Sequence, residues 1–104
     1  MDRIASLRHR VRLERPERAD DDIGGGALTW SDEGEVWASI AATSAVQGAD
    51  FDAAPATTSF RIVINRREVK PGWRVVWNAR SLRITGVRDD GGPQIELSCE
   101  EELL

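Results

Sequence analysis

The sequence predicts an all-β domain, a small antiparallel barrel or sandwich of about six strands. Three observations carry this. Apolar and charged residues alternate through Leu7-Arg8-His9-Arg10-Val11-Arg12-Leu13-Glu14-Arg15, the period-two pattern of a half-buried strand. Two turn signals, Asn78-Ala79-Arg80 and Asp89-Asp90-Gly91-Gly92-Pro93, separate apolar runs in the second half as hairpins do. No long amphipathic helix and no internal repeat competes with this pattern.

The first strand spans about His9–Arg15, with Val11 and Leu13 inward and Pro16 as its stop. Residues 1–7 read as a helical or irregular lead-in, and residues 16–27 as a loop with an Asp20-Asp21-Asp22 run and three glycines, Gly24-Gly25-Gly26. Leu28-Thr29-Trp30 and Val36-Trp37-Ala38-Ser39-Ile40 then place two tryptophans around a Glu/Gly turn. The second strand spans about Glu35–Ala42, with Val36, Ala38, Ile40 and Ala42 on one face. Thr43–Pro55 breaks every pattern: it is rich in small residues, holds one large apolar group, Phe51, and is compatible with a short helical turn over Gly48–Ala54. A loop of that length in a compact domain points to function or mobility.

The third strand spans about Thr57–Asn65, with Thr58, Phe60, Ile62 and Ile64 on one face. Pro71-Gly72 forms a turn. The fourth strand is about Trp73–Trp77, the fifth about Ser81–Arg88 and the sixth about Gln94–Glu101.

At 104 residues the chain has the size of one domain. Its single cysteine, Cys99, excludes an internal disulfide, which suits a reducing compartment. Its place in Ile95-Glu96-Leu97-Ser98-Cys99-Glu100 predicts a small buried hydrophobe. No stretch approaches the roughly 20 apolar residues of a membrane helix, and the first residues lack the apolar core of a signal peptide. The protein is expected to be intracellular when made.

The net charge of −4 is unevenly distributed. Residues 1–19 hold six arginines against three acids, whereas residues 89–104 hold six acids and no Lys or Arg. A basic front and an acidic end suit head-to-tail contact between copies or with a partner. The residues expected to make that contact are Arg8, Arg10, Arg12, Glu100, Glu101 and Glu102.

Catalytic chemistry finds little to use. His9, the one histidine, sits between two arginines and reads as a surface strand position; no triad motif surrounds any serine. The triple glycine lacks the Lys-Ser/Thr of a phosphate loop. The triple aspartate lacks the spacing and distal Glu of a calcium loop. The expectation is therefore no enzyme, no metal and no cofactor. A barrel that stacks single-stranded nucleic acid on its four tryptophans is a rival reading, opposed by the negative net charge.

The ordered set of Leu7–Val11, Gly24–Trp30, Val36–Ile40, Phe60-Arg61-Ile62-Val63-Ile64, Gly72-Trp73-Arg74-Val75, Leu82–Val87 and Ile95–Glu100 resembles the small head–tail joining proteins, also called head-completion or stopper proteins, of long-tailed phages and gene transfer agents. The resemblance implies a small β-barrel with a long excursion between strands two and three. It implies a ring, of six or twelve copies, between the portal or adaptor and the tail-terminator or tail-tube proteins at the particle neck. That ring would pass and retain double-stranded DNA. The protein would be made in the host cytoplasm. The excursion would lie toward the channel, with Gln47, Gly48, Asp50, Phe51 and Asp52 as its channel residues. Relatives often carry a larger excursion with a Glu-Phe-like pair, to which Ala49-Asp50-Phe51-Asp52-Ala53 is the nearest match here. An adaptor or tail-terminator role in the same particle is the neighbouring alternative.

Overall fold

A computed structural model describes residues 7–19, 27–43 and 58–101. The lead-in, the Asp/Gly run, the channel residues Gln47–Asp52 and Glu102 lie outside the described residues. Six strands form: β1 (His9–Ala19), β2 (Ala27–Thr43), β3 (Ser59–Asn65), β4 (Arg74–Trp77), β5 (Arg80–Arg88) and β6 (Gln94–Glu101). All pair antiparallel in one sheet that closes in the order β1-β2-β3-β6-β5-β4. Closure decides between barrel and sandwich. The barrel is filled by the alternating apolar positions of the strands, among them Val11, Leu13, Ile62, Ile64, Val75, Leu82, Ile84, Leu97 and Cys99. These positions remove their apolar surface from water, the main favourable contribution to the fold.

Two turns follow their residue chemistry. At Pro71-Gly72 the Trp73 N–H donates to the Lys70 carbonyl at 3.2 Å, and Gly72 takes φ 99°. Proline at the second position and a positive-φ glycine at the third define a type II turn. Asn78 and Ala79 take φ 52° and 62° between the paired Trp77 and Arg80, the geometry of a two-residue type I′ hairpin. Alanine is a poor choice there, because its Cβ crowds the backbone at positive φ. Ala79→Gly is therefore expected to stabilise the fold by about 0.5–1 kcal/mol, read as a higher urea midpoint with an unchanged slope.

Three sequence expectations need correction. Pro16 does not stop β1, which continues to Ala19. The physical reason is that β4 pairs with β1 only over Arg12–Glu14. Beyond that point β1 has one strand neighbour, β2, and a free edge tolerates proline. Second, Trp30 and Trp37 do not flank a turn; both lie in the 17-residue β2. Between them, three steps of β2 from Asp32 to Glu35 oppose two of β1 from Glu14 to Arg12. This is a β-bulge, with Gly34 at φ 101° and its N–H bonded to the Asp32 carboxylate at 2.7 Å. Third, His9 is not a surface position. It pairs with Ala38 on the inner face and meets Trp77 edge-on, ring centroids 5.5 Å apart.

That contact belongs to a cluster closing one end of the barrel. Phe60 also meets Trp77 edge-on at 6.2 Å. The Arg80 guanidinium lies 5.4 Å from both the Phe60 and Trp77 rings. The β3–β4 connection, at the end where β3 finishes and β4 begins, buries Val69 and Trp73.

Candidate interaction surface

The side chains best placed to meet a partner lie outside the barrel. β2 pairs with β3 only over Ala38–Thr43, so Arg15–Ala19 and Ala27–Ser31 have only each other as strand partners. They extend the barrel wall as a two-stranded ribbon. The Gly34 bulge sets which side chains share its outer face. Register pairs Arg18 with Leu28, Pro16 with Trp30, Glu14 with Asp32, Arg12 with Glu35, and Arg10 with Trp37. Alternate positions of β1 share a face, so Leu28, Trp30 and Trp37 share it too. Without the extra residue, Trp30 and Trp37, seven positions apart, would point to opposite faces.

Each tryptophan carries an arginine. Arg74 lies over the Trp30 ring at 4.1 Å, and Arg10 over Trp37 at 5.2 Å. Such contacts contribute about 0.5–1 kcal/mol at exposed sites. Glu14, 13% exposed at its side chain, accepts from Arg74 Nε at 2.6 Å and Arg12 Nε at 3.1 Å. The ribbon is tied to the barrel at its base by Glu33. Its carboxylate accepts from Arg15 Nε at 2.9 Å and Arg67 Nη2 at 3.4 Å, and its carbonyl from Arg67 Nη1 at 2.9 Å. This knot borders a cleft of about 410 Å³ lined by Arg15, Pro16, Glu33, Glu68, Lys70, Pro71 and Trp73. Trp73 is buried in the core, so the cleft offers mainly charged groups already engaged with each other.

The charged residues expected to join copies are distributed as follows. Arg10 and Arg12 lie on the outer face of β1, with Glu35 at 3.1 Å from Arg10 and Glu14 at 3.1 Å from Arg12. The Arg8 N–H donates to the Ala38 carbonyl at 3.0 Å. Glu100 lies across from Arg83, 3.9 Å away, and Glu101 accepts two hydrogen bonds from Arg80, both at 2.9 Å. Folding thus brings Glu35 of β2 to the basic front, where Glu14 already lies, and arginines of β5 to the acidic end. Sequence order hid this, because none of these cross-strand partners is a sequence neighbour. Trp37 and Leu28 carried no such signal either until the bulge set their face.

Two carboxylates are shifted by arginine. The Arg66 guanidinium, bonded to Asp89, holds that carboxyl below its usual value, helped by the Gly91 N–H. Arg66 also donates to the Gly92 carbonyl at 2.9 Å, fixing the β5–β6 turn to the β3–β4 connection. Arg80 lowers Glu101 in the same way. A carboxylate with a depressed folded-state pKa stabilises the fold above its unfolded pKa, and that contribution is lost as pH falls through the folded value. Stability is expected to decline in acid below the ordinary carboxylate range. Glu101→Gln should flatten the decline in urea midpoint against pH; an identical slope would remove the pair from the account.

Cys99 is buried between Phe60 on β3 and Ile84 on β5. Burial pushes its thiol up to about 12, so at neutral pH it is protonated and unreactive. Among the described residues no cluster of His, Cys, Asp or Glu could hold a metal ion.

Comparison with known proteins follows the same architecture. The chain matches the phage head completion protein family over residues 2–102. It is similar to a chain in the virion of a native gene transfer agent particle, with 31% identity, a TM-score of 0.77, and coverage of 96% of this chain and 98% of that chain. It is also similar to protein SF1141 from Shigella flexneri 2a, known from a solution structure, with 26% identity, a TM-score of 0.68, and coverage of 91% and 92%. No curated protein matches the chain. A family match that spans nearly every residue, on a closed barrel of the expected kind, means that this chain belongs to the phage head completion protein family.

Proposed function

We propose that this protein is a structural connector of the stopper type. Copies form a ring at the particle neck, between the portal or adaptor and the tail-terminator or tail-tube proteins. The ring passes double-stranded DNA and retains it until the tail attaches. One observation carries the reading: the near end-to-end likeness to a chain of a gene transfer agent virion, with both chains almost fully covered. Coverage of that extent supports equivalence of a whole part rather than of a shared subdomain. Head completion is a structural task, and a ring of shaped subunits performs it without a reactive group.

In this reading Gln47, Gly48, Asp50, Phe51 and Asp52 form the channel loop. Arg8, Arg10 and Arg12 face Glu100, Glu101 and Glu102 of a neighbouring copy or partner. A modestly acidic protein, with a net charge of −4, suits a channel that DNA must traverse without being gripped.

Removing the gene from a particle-producing strain is the test. Heads are then expected to package DNA, to lack tails and to lose their DNA to nuclease. Tailed particles with retained DNA would overturn the reading. Empty heads with tails attached would instead place the protein elsewhere in the machine. In particles that carry the protein, deleting Gly48–Asp52 is expected to leak DNA from heads awaiting tails; unchanged retention would remove the channel role from this loop.

A further inference from the structure

We infer that the open edge of β2 over Ala27–Ser31 receives an extended segment of a different particle protein as an added strand. This rests on the connector reading and names how the subunit is joined to a neighbour.

β2 meets β3 only from Ala38 onward, so over Ala27–Ser31 its side away from β1 has no strand partner. Register shows which backbone groups lie there. Pro16 has no N–H to give β2, so its pair with Trp30 is of the non-hydrogen-bonded kind. The N–H and C=O of Trp30 therefore point to the open edge, and those of Leu28, two residues away, point the same way. No group among the described residues bonds to them on that side. Farther along, the same edge is capped at Glu33, whose carbonyl accepts from Arg67 Nη1 at 2.9 Å. The part left open reads Ala27-Leu28-Thr29-Trp30-Ser31, without the proline or charge that guards an edge against strand addition. The β1 edge of the same ribbon reads Arg15-Pro16-Glu17-Arg18, and there both guards are present. One ribbon thus has a guarded edge and a receptive one.

Free N–H and C=O groups in a row are completed by the backbone of another strand, which fixes the class of occupant. The barrel does not supply it, because β3, β4, β5 and β6 each have a strand neighbour on both sides. Nor does the chain's own stretch 44–57 reach the edge. It leaves at Thr43 and returns at Thr58, and Thr43 lies about 40 Å from Ser31 along the extended strand. A stretch of that length that must go out and back reaches about 25 Å. Charge then separates a different protein from a second copy. β2 carries Asp32, Glu33 and Glu35 and no Lys or Arg. Glu33 is paired with Arg15 and Arg67, and Glu35 with Arg10. Among the described residues the Asp32 carboxylate has only the Gly34 N–H, so a strand laid beside it is favoured by a basic residue there. Residues 20–26, 44–57 and 102–104 of a second copy carry acids and no Lys or Arg, and in residues 1–6 Asp2 stands beside Arg3. The fitting occupant is an extended segment of another protein, with apolar side chains next to Leu28 and Trp30 and a basic one next to Asp32.

Amide hydrogen exchange, read residue by residue in the free protein and in tailed particles, is the test. In the free protein the Leu28 and Trp30 amides are expected to exchange freely, and the Thr29 and Ser31 amides, turned toward β1, to be protected. In particles Leu28 and Trp30 are expected to become protected as well. Free exchange at both in particles that hold the protein would overturn the added strand and leave the connector reading standing. Complete, infectious particles without any copy of the protein would overturn the connector reading itself. A pair of variants separates backbone from side chain. Leu28→Pro removes the outward N–H and spares the bonds to β1, whereas Leu28→Ala keeps that N–H. Leu28→Pro is expected to lower the copies per particle roughly tenfold relative to Leu28→Ala; equal incorporation would count against the proposal. In particles, a benzophenone attached at Leu28→Cys is expected to cross-link to a different particle protein, since Cys99 is buried and takes no label. A cross-link to a second copy of this chain would overturn the occupant.

Discussion

Replacing Leu97 with alanine is expected to lower stability by about 2–5 kcal/mol. Leu97 is fully buried in β6, opposite Ile62 on β3 and Val87 on β5. Truncation removes methyl and methylene groups from the middle of the barrel and leaves a void that the surrounding strands cannot fill. A closed sheet resists collapse, because each strand is held on both sides by its neighbours. Domains of this size have only about 5–15 kcal/mol of total stability, so the variant should unfold at a much lower urea concentration. The neighbouring Ser98 is exposed, and Ser98→Ala should stay within about 0.5 kcal/mol of the parent. Equal midpoints for Leu97→Ala and Ser98→Ala would contradict the burial pattern on which the barrel rests.

The second large effect is expected at Gly34. Its φ of 101° is strained for any residue with a Cβ, although a Cβ there would meet nothing within 4 Å. Gly34→Ala should therefore cost about 1–2 kcal/mol through the backbone alone, measured by urea denaturation, and should keep the ribbon face intact. Deleting Gly34 acts differently. It removes the extra residue that brings Trp30 onto the side of Trp37, so Leu28 and Trp30 turn to the other face. The Arg74 contact with Trp30 is lost with it. The deletion should reduce incorporation into particles far more than Gly34→Ala does, as read by immunoblot of purified particles. Equal incorporation of the two variants would show that the shared face has no part in assembly.

The strands were legible in the sequence where alternation was uninterrupted. β6 appears over Gln94–Glu101, the range that its alternating residues predict. The inward residues of β3, from Phe60 to Ile64, and the burial of Cys99 follow from the same pattern. The turns at Pro71-Gly72 and Asn78-Ala79 were legible because proline and asparagine have specific backbone preferences. Legibility failed along β1 and β2, where Pro16 and Glu33-Gly34 carry the local chemistry of breaks. Whether a proline breaks a strand depends on whether its edge is paired, and that depends on where β4 ends.

For the surface, the sequence by itself determined a basic front, an acidic end and the two tryptophans flanking Gly34, together with the family resemblance. Only the tertiary structure decided what those features face. Arg10 meets Glu35 and Glu14 meets Arg74 because strands distant in sequence lie side by side. His9 shares the inward face of Val11 and Leu13 by alternation, and closure of the sheet is what sets Trp77 beside it. Trp30 and Trp37 share a face because one strand has a residue more than its partner. Alternation is local and can be read along a chain, whereas register and closure are relations between strands, which only the folded chain establishes.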